Sequence, residues 1–111
     1  MTQSIALLDE RLIVEAVTMG VSRIPGVALL TGPKANLSTV GPGWRVWGIA
    51  VHREEGTLNL SLELSVTIDK DSSMPALSTR VRSMVRDEIQ SLTSEEVGWI
   101  NIRIGDVHLT E

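Results

Sequence analysis

Cysteine, phenylalanine and tyrosine are all absent from the 111 residues. Without cysteine the chain has no disulfide, no thiolate-bound zinc, no thiol nucleophile and no cysteine-held iron–sulfur cluster. Three tryptophans supply all the aromatic mass, so the core has to be built mainly from Val, Ile, Leu and Met. Histidine is scarce too. His52 and His108 are the only two, and neither has a second histidine at metal-ligand spacing. Positive charge is in deficit, with a net charge of -4, which opposes the counterion-releasing contacts that non-specific nucleic-acid binding needs. No apolar run approaches the roughly 18 residues of a membrane span. Direct membrane insertion is therefore not expected, and any membrane association has to go through a partner. The opening M-T-Q-S-I-A-L-L-D-E-R has no basic stretch and only four successive apolar residues before Asp9, so no targeting segment is expected. A small domain without disulfide staples suits the cytoplasm.

Hydrophobic residues make up 42% and charged residues 22%, ordinary values for a folded domain. One domain over residues 1–111 is expected, with 1–6 loosely ordered. Its strongest signal is Thr57 to Asp69, T-L-N-L-S-L-E-L-S-V-T-I-D. Apolar side chains hold every even position from Leu58 to Ile68, and polar ones hold the odd positions. This period of two predicts a long strand with one greasy and one wet face. Burying six such aliphatics at roughly 1.5–3 kcal/mol each makes this strand the organiser of the fold.

Upstream, Leu12, Ala16, Val17, Gly20, Val21 and Ile24 recur at spacings of three and four. They predict a helix over Glu10–Arg23, capped by Asp9 and stopped by Ile24-Pro25-Gly26-Val27. Residues Leu29–Gly43 hold three Gly and two Pro and read as an irregular surface loop, long enough to contact something. Trp44–Arg53 reads as one strand, turned through Glu54-Glu55-Gly56 into an antiparallel hairpin with the long strand. Ser72 or Ser73 caps a second helix over Pro75–Leu92, whose stripe is Leu77, Val81, Met84, Val85, Ile89 and Leu92. Val97–Val107 is the closing strand, with Ile100, Ile102 and Ile104 inward. The fold class is α+β in the order α-β-β-α-β. Two helices pack on one face of a three-stranded sheet, or a four-stranded one if Ser4–Leu8 adds a leading strand.

Converging chemistry is hard to find. The carboxylate pairs Asp9/Glu10, Glu54/Glu55, Asp69/Asp71, Asp87/Glu88 and Glu95/Glu96 fall at element ends or on polar helix faces. The segment D-K-D-S-S-M-P lacks the glycine and distal Glu of a calcium loop. No serine sits in G-x-S-x-G or S-x-x-K, and Gly32-Pro33-Lys34 lacks the frame of a phosphate-binding loop. No catalytic, cofactor-binding or metal-binding residue is assigned, and the chain is expected not to be an enzyme.

An interface is better supported. Trp47 shares parity with Ile49 and Val51 and suits the core. Trp44, Val46 and Ala50 have the opposite parity, and Trp99 is opposite to Ile100. If the first and last strands are neighbours, Trp44, Val46, Ala50 and Trp99 form an apolar patch on the outer face of the sheet, as interfaces do. The alternatives are that the long loop folds over them, or that a bulge near Gly98 returns Trp99 to the core. Arg82 and Arg86, four apart on the second helix, are either a solvated face or a mark for an anionic partner. The long strand can itself lie at a sheet edge and invite pairing.

Three stretches carry a family resemblance. They are the first helix running into I-P-G-V (Ile24–Val27), the hairpin W-R-V-W-G-I-A-V with L-N-L-S-L-E-L-S-V, and M-P-A-L-S-T-R-V-R-S-M-V (Met74–Val85) followed by T-S-E-E-V-G-W-I-N-I-R-I-G-D-V (Thr93–Val107). In order and spacing, from about Leu7 to Val107, they resemble the bacterial alkaline shock protein family, the envelope stress response proteins. The segment P-G-W-R-V-W-G is closer to the divergent versions of high-GC Gram-positive bacteria, and the strand after Gly56 lacks the glycine-containing break often seen before the family's second helix. The resemblance implies a non-enzymatic cytoplasmic protein tied to cell-envelope homeostasis, with no cofactor and no catalytic residues. It would act as a homo-oligomer or on a protein partner, for some members a small integral membrane protein. Two other readings stay open: a small RNA-binding domain, disfavoured by the acidic charge, and a small-ligand binder using the Leu29–Gly43 loop.

Overall fold

In the computed structural model, which describes residues 10–110, the period-two segment is a twelve-residue strand at the centre of the molecule. The predicted Asp9 cap, the leading strand Ser4–Leu8 and the loose residues 1–6 lie outside the described residues. The elements run α1 (Glu10–Ser22), β1 (Val27–Leu29), a 3-10 turn (Gly32–Lys34), β2 (Ser38–Gly41), β3 (Trp44–Trp47), β4 (Ile49–Glu54), β5 (Thr57–Ile68), α2 (Met74–Leu92) and β6 (Glu96–Leu109). The α+β class is as expected, but the predicted order α-β-β-α-β is corrected to α-β-β-β-β-β-α-β. The segment Leu29–Gly43 is not irregular, since it contains the end of β1, the turn and β2.

The long strand is not an edge. One flank of β5 carries β6, parallel, along its whole length. The other carries β4 and β1 end to end, both antiparallel. Parallel neighbours need a long crossover, and α2 supplies it. The β4–β5 hairpin closes as expected through Glu55 and Gly56, whose φ values of 50° and 83° fit the primed turn that matches strand twist. The even face of β5, from Leu58 to Val66, is buried beneath both helices and forms one cluster with Ile13, Val17, Val81, Val85 and Ile89. On α2, Ser73 accepts a hydrogen bond from the Ala76 N–H at 3.2 Å, and Pro75 occupies the first turn, as the sequence indicates. The α1 stripe is rotated from the expected one. Ile13 and Val14 are buried with Val17, Gly20 and Val21, whereas Leu12 is 52% exposed.

Trp44–Arg53 is two strands, not one. Gly48 adopts φ 80° between them, a conformation that favours glycine. A Cβ there would lie 2.6 Å from the Leu30 carbonyl oxygen. The break sends β3 away to pair with β2 in a separate two-stranded arm, while β4 stays in the main sheet. The backbone of Glu63 spans the junction. Its N–H donates to the Gly48 carbonyl at 2.8 Å, and its carbonyl accepts from the Leu30 N–H at 2.9 Å.

Candidate functional site

The predicted interface residues do not form one patch. β4 and β6 flank β5 on opposite sides and are not neighbours. The break at Gly48 also resets the parity of what precedes it. Trp44 and Val46 therefore pack against the core cluster, and the Arg11 guanidinium lies over the Trp44 ring, 5.8 Å from its centroid. Trp47, expected in the core, sits on the other side of the arm beneath the Arg45 guanidinium at 4.7 Å. Ala50 does face the outer side of the sheet, opposite Ser61. Trp99 is there too, 42% exposed. Its ring meets His52 at 5.4 Å between centroids, across β5. The register of β5 against β6 slips between Leu58 and Leu60, which places a bulge at Gly98–Trp99. The bulge lets both Val97 and Ile100 turn inward and leaves Trp99 outside. The Trp99 N–H is held by Asn59 Oδ1 at 2.9 Å.

Arg82 is exposed and Arg86 half-buried, and both reach the backbone of β6. Arg82 Nε donates to the Ile100 carbonyl at 3.0 Å. Arg86 donates from Nη1 to the Val97 carbonyl at 2.8 Å and from Nη2 to the Gly98 carbonyl at 3.1 Å. β6 has no strand on its far side among the described residues, so these two side chains satisfy carbonyls that a neighbouring strand would otherwise use.

The outer face of β5 is not wet throughout: Asn59 and Glu63 are buried. Glu63 is 1% exposed. One carboxylate oxygen accepts the backbone N–H groups of Asn36 and Leu37, each at 2.7 Å, and the other is bound by Arg103. Burial pushes the Glu63 carboxyl up. The Arg103 hydrogen bonds, then those of Leu37 and Asn36, and the Arg103 charge outweigh it and hold the group below the usual carboxylate range. The segment after β1 is thus pinned over the sheet. Nearby, Lys34 Nζ and His108 Nε2 both meet Asp106 Oδ2 at 3.1 Å. The Lys34 bond, ahead of the nearby His108 charge, lowers the Asp106 carboxyl despite its desolvation. Glu95, one of the carboxylates at element ends, is buried and bound by Arg53 Nε at 3.0 Å. The sequence holds one signal for the Glu63 cluster. A lone carboxylate at the centre of a long strand, with an arginine at a polar position of the closing strand, is a pair waiting for adjacency.

Among the described residues, no three His, Cys, Asp or Glu side chains gather closely enough to hold a metal ion, and no helix is long and apolar enough to cross a membrane. A groove of about 390 Å³ lies between α1, β1 and β3, lined by Thr18, Ser22, Ala28, Leu29, Arg45 and Trp47 among others.

The remaining distinctive feature is β6 itself. Glu63 and Thr67 use their backbone N–H groups toward Gly48 and Gly26 on the β4 and β1 flank. Alternation therefore turns the even residues of β5 toward β6. The register then makes Asn101, Arg103, Asp106 and His108 the residues that bond β5, and turns the N–H and C=O groups of Ile102, Ile104 and Val107 to the open edge. The arginine caps stop at Ile100. Beyond it the edge runs on, with Val107 and Leu109 exposed on the core side of the sheet.

The chain matches no family model, no curated protein and no solved structure.

Proposed function

We propose that this chain is a non-enzymatic interaction or scaffold protein of the cytoplasm, of the kind suggested by its resemblance to the envelope stress response proteins. It acts by associating with a second copy or by docking on a protein partner, including a small integral membrane protein that would hold it at the membrane. The observation that carries this reading is the surface of β6. Trp99 is half-exposed at one end, Leu109 is 77% exposed at the other, and beyond the arginine-capped Ile100 the strand edge is open among the described residues. Aromatic and aliphatic side chains beside unsatisfied backbone groups are what a partner strand or surface recognises. The titratable groups around them are tied into pairs, as in Glu63–Arg103 and Arg53–Glu95, which suits a rigid platform.

The test is capture from the native host with the wild type and a Trp99→Ala/Leu109→Asp variant, judged beside sedimentation of the purified chain. Loss of a specific partner or of self-association in the variant, with an unchanged circular dichroism spectrum, supports the reading. A wild type that neither self-associates nor retains any protein, or that turns over a substrate, overturns it. Tight, salt-sensitive retention of RNA on a filter would put the RNA-binding alternative in its place.

The groove favours a second reading, a small-ligand binder, to which the Leu29–Gly43 segment contributes Leu29 and Thr31. Its volume of about 390 Å³ falls within the range of ligand pockets. A bound nucleotide, divalent metal or small anion would raise the melting temperature by mass action. No rise with any of these in large excess sinks this second reading.

A further inference from the structure

We propose that β6 pairs antiparallel with β6 of a second copy of this chain, across a two-fold axis beside Gly105, so that two sheets become one. This deepens the interaction reading above and rests on it.

The case is made by register. β6 carries one extra residue, Gly105, between the partners of Leu64 and Ser65. That insertion shifts the alternation. Ile102 and Ile104 before it, and Val107 and Leu109 after it, all lie on the core side of the sheet and all turn their backbone groups to the edge that no described residue pairs with. Arg103 before it, and Asp106 and His108 after it, all lie on the outer side. A two-fold pairing that sets Arg103 opposite Asp106 of the second copy therefore also sets Ile102 opposite Val107. Side chains on matched faces meet on either side of the axis, and the edge-directed Ile102 and Val107 oppose each other, as an antiparallel ladder requires; at the axis Ile104 faces Gly105, which has no side chain to place on the wrong side. Of the registers that keep the faces matched, this one sets opposite charges across the seam, and the symmetry does so twice. Lys34 and His108 both meet Oδ2 of Asp106, which leaves Oδ1 for the incoming guanidinium. Arg103 gives Nε and Nη2 to Glu63 and has further N–H groups to offer.

The arginines set the limit of the seam. The carbonyls of Val97, Gly98 and Ile100 are already bound by Arg86 and Arg82. A partner strand can then pair only from Asn101 onward, which is where the matched register begins. A single edge of this length, capped at one end and self-complementary at the other, fits a closed dimer rather than an open chain of copies.

Sedimentation and amide hydrogen exchange of the wild type, across a dilution series, test this directly. The expected result is a species of twice the chain mass. In it the amides of Ile102, Ile104 and Val107 exchange at least about tenfold more slowly than in the diluted monomer, while Val97 is unchanged. Val107→Pro removes only an edge-facing N–H, so the variant should keep its circular dichroism spectrum and sediment as a monomer. Val107→Lys serves as a second variant, with the same expected loss of the dimer. A dimer in which those three amides exchange no more slowly than in the monomer overturns the proposal and leaves the interaction reading standing. A chain that stays monomeric at millimolar concentration yet binds another protein does the same. A chain that binds nothing at all removes both.

Discussion

Glu63 shows how one side chain can hold a segment in place. It is buried, charged and fully matched by Arg103 and two backbone N–H groups. Replacing it with Leu leaves the Asn36 and Leu37 N–H groups without an acceptor and strands the Arg103 contact. Glu63→Leu should cost about 3 kcal/mol, read as a fall in the urea midpoint at constant m-value. The same carboxylate makes stability depend on pH in a defined direction. Its folded pKa is depressed, so the unfolded chain takes up the proton at higher pH than the folded protein does. The stabilisation is complete above the unfolded value and is lost as the pH falls through the folded one. Urea midpoints of wild type and Glu63→Gln from about pH 7 to about pH 3 should converge as the solution is acidified. A constant gap between them would show that the carboxylate charge contributes nothing. Both residues of the pair were visible as polar positions of strands, but their adjacency came only with the β5–β6 register.

Two elements depend on a device that local pattern does not reveal. The first is the break at Gly48. Alternation alone reads Trp44–Arg53 as one strand, and that reading puts Trp47 in the core and Trp44 outside. Positive φ at Gly48 and the close approach of the Leu30 carbonyl reverse both assignments. Gly48→Ala should destabilise by about 1–3 kcal/mol from backbone strain alone, more if the Leu30 contact cannot relax. Thermal unfolding measures it, and a neutral result would mean that the junction can rearrange. The second device is the capped edge of β6. Arg82→Ala and Arg86→Ala each remove hydrogen bonds to carbonyls that solvent can partly replace, so each should cost only about 1 kcal/mol. Together they expose the first half of the edge, and the double variant should aggregate faster than the wild type in light scattering when the two are compared under conditions that equalise their stability. Unchanged aggregation would show that the caps are not what protects this stretch.

The fold has an uneven build. β5 is flanked on both sides along its length and buried beneath two helices, whereas the β2–β3 arm is a two-stranded ribbon joined to the rest around Gly48. A ribbon of two strands is weak by itself. Amide exchange should therefore rank the molecule. Leu60, Leu62 and Leu64 should exchange only through global unfolding, and the amides of Val40 and Arg45 should exchange faster by local opening of the arm. Equal protection of the arm and of β5 would mean that the arm unfolds only with the core. The α+β class, the two helices and their approximate ends, the Glu55–Gly56 hairpin turn and the inward Ile100, Ile102 and Ile104 were all legible beforehand. Each is written in a local period or a local cap. The candidate interface was legible only in part. Trp99 and Ala50 reached the outer face as parity indicates. Trp44 and Val46 did not, because a single glycine changed the phase of their strand.

Composition and short-range periodicity were enough to settle which segments bury an apolar face, because the face a side chain takes depends on two or four neighbours along the chain. They also settled that an aliphatic core would stand without disulfides. Strand order, the split of the first tryptophan strand, the burial of Glu63 and the reach of Arg82 and Arg86 to the β6 carbonyls were decided only in three dimensions. Each of these depends on which distant backbone groups lie side by side, and the hydrogen bonds that choose among such pairings join residues far apart in the chain.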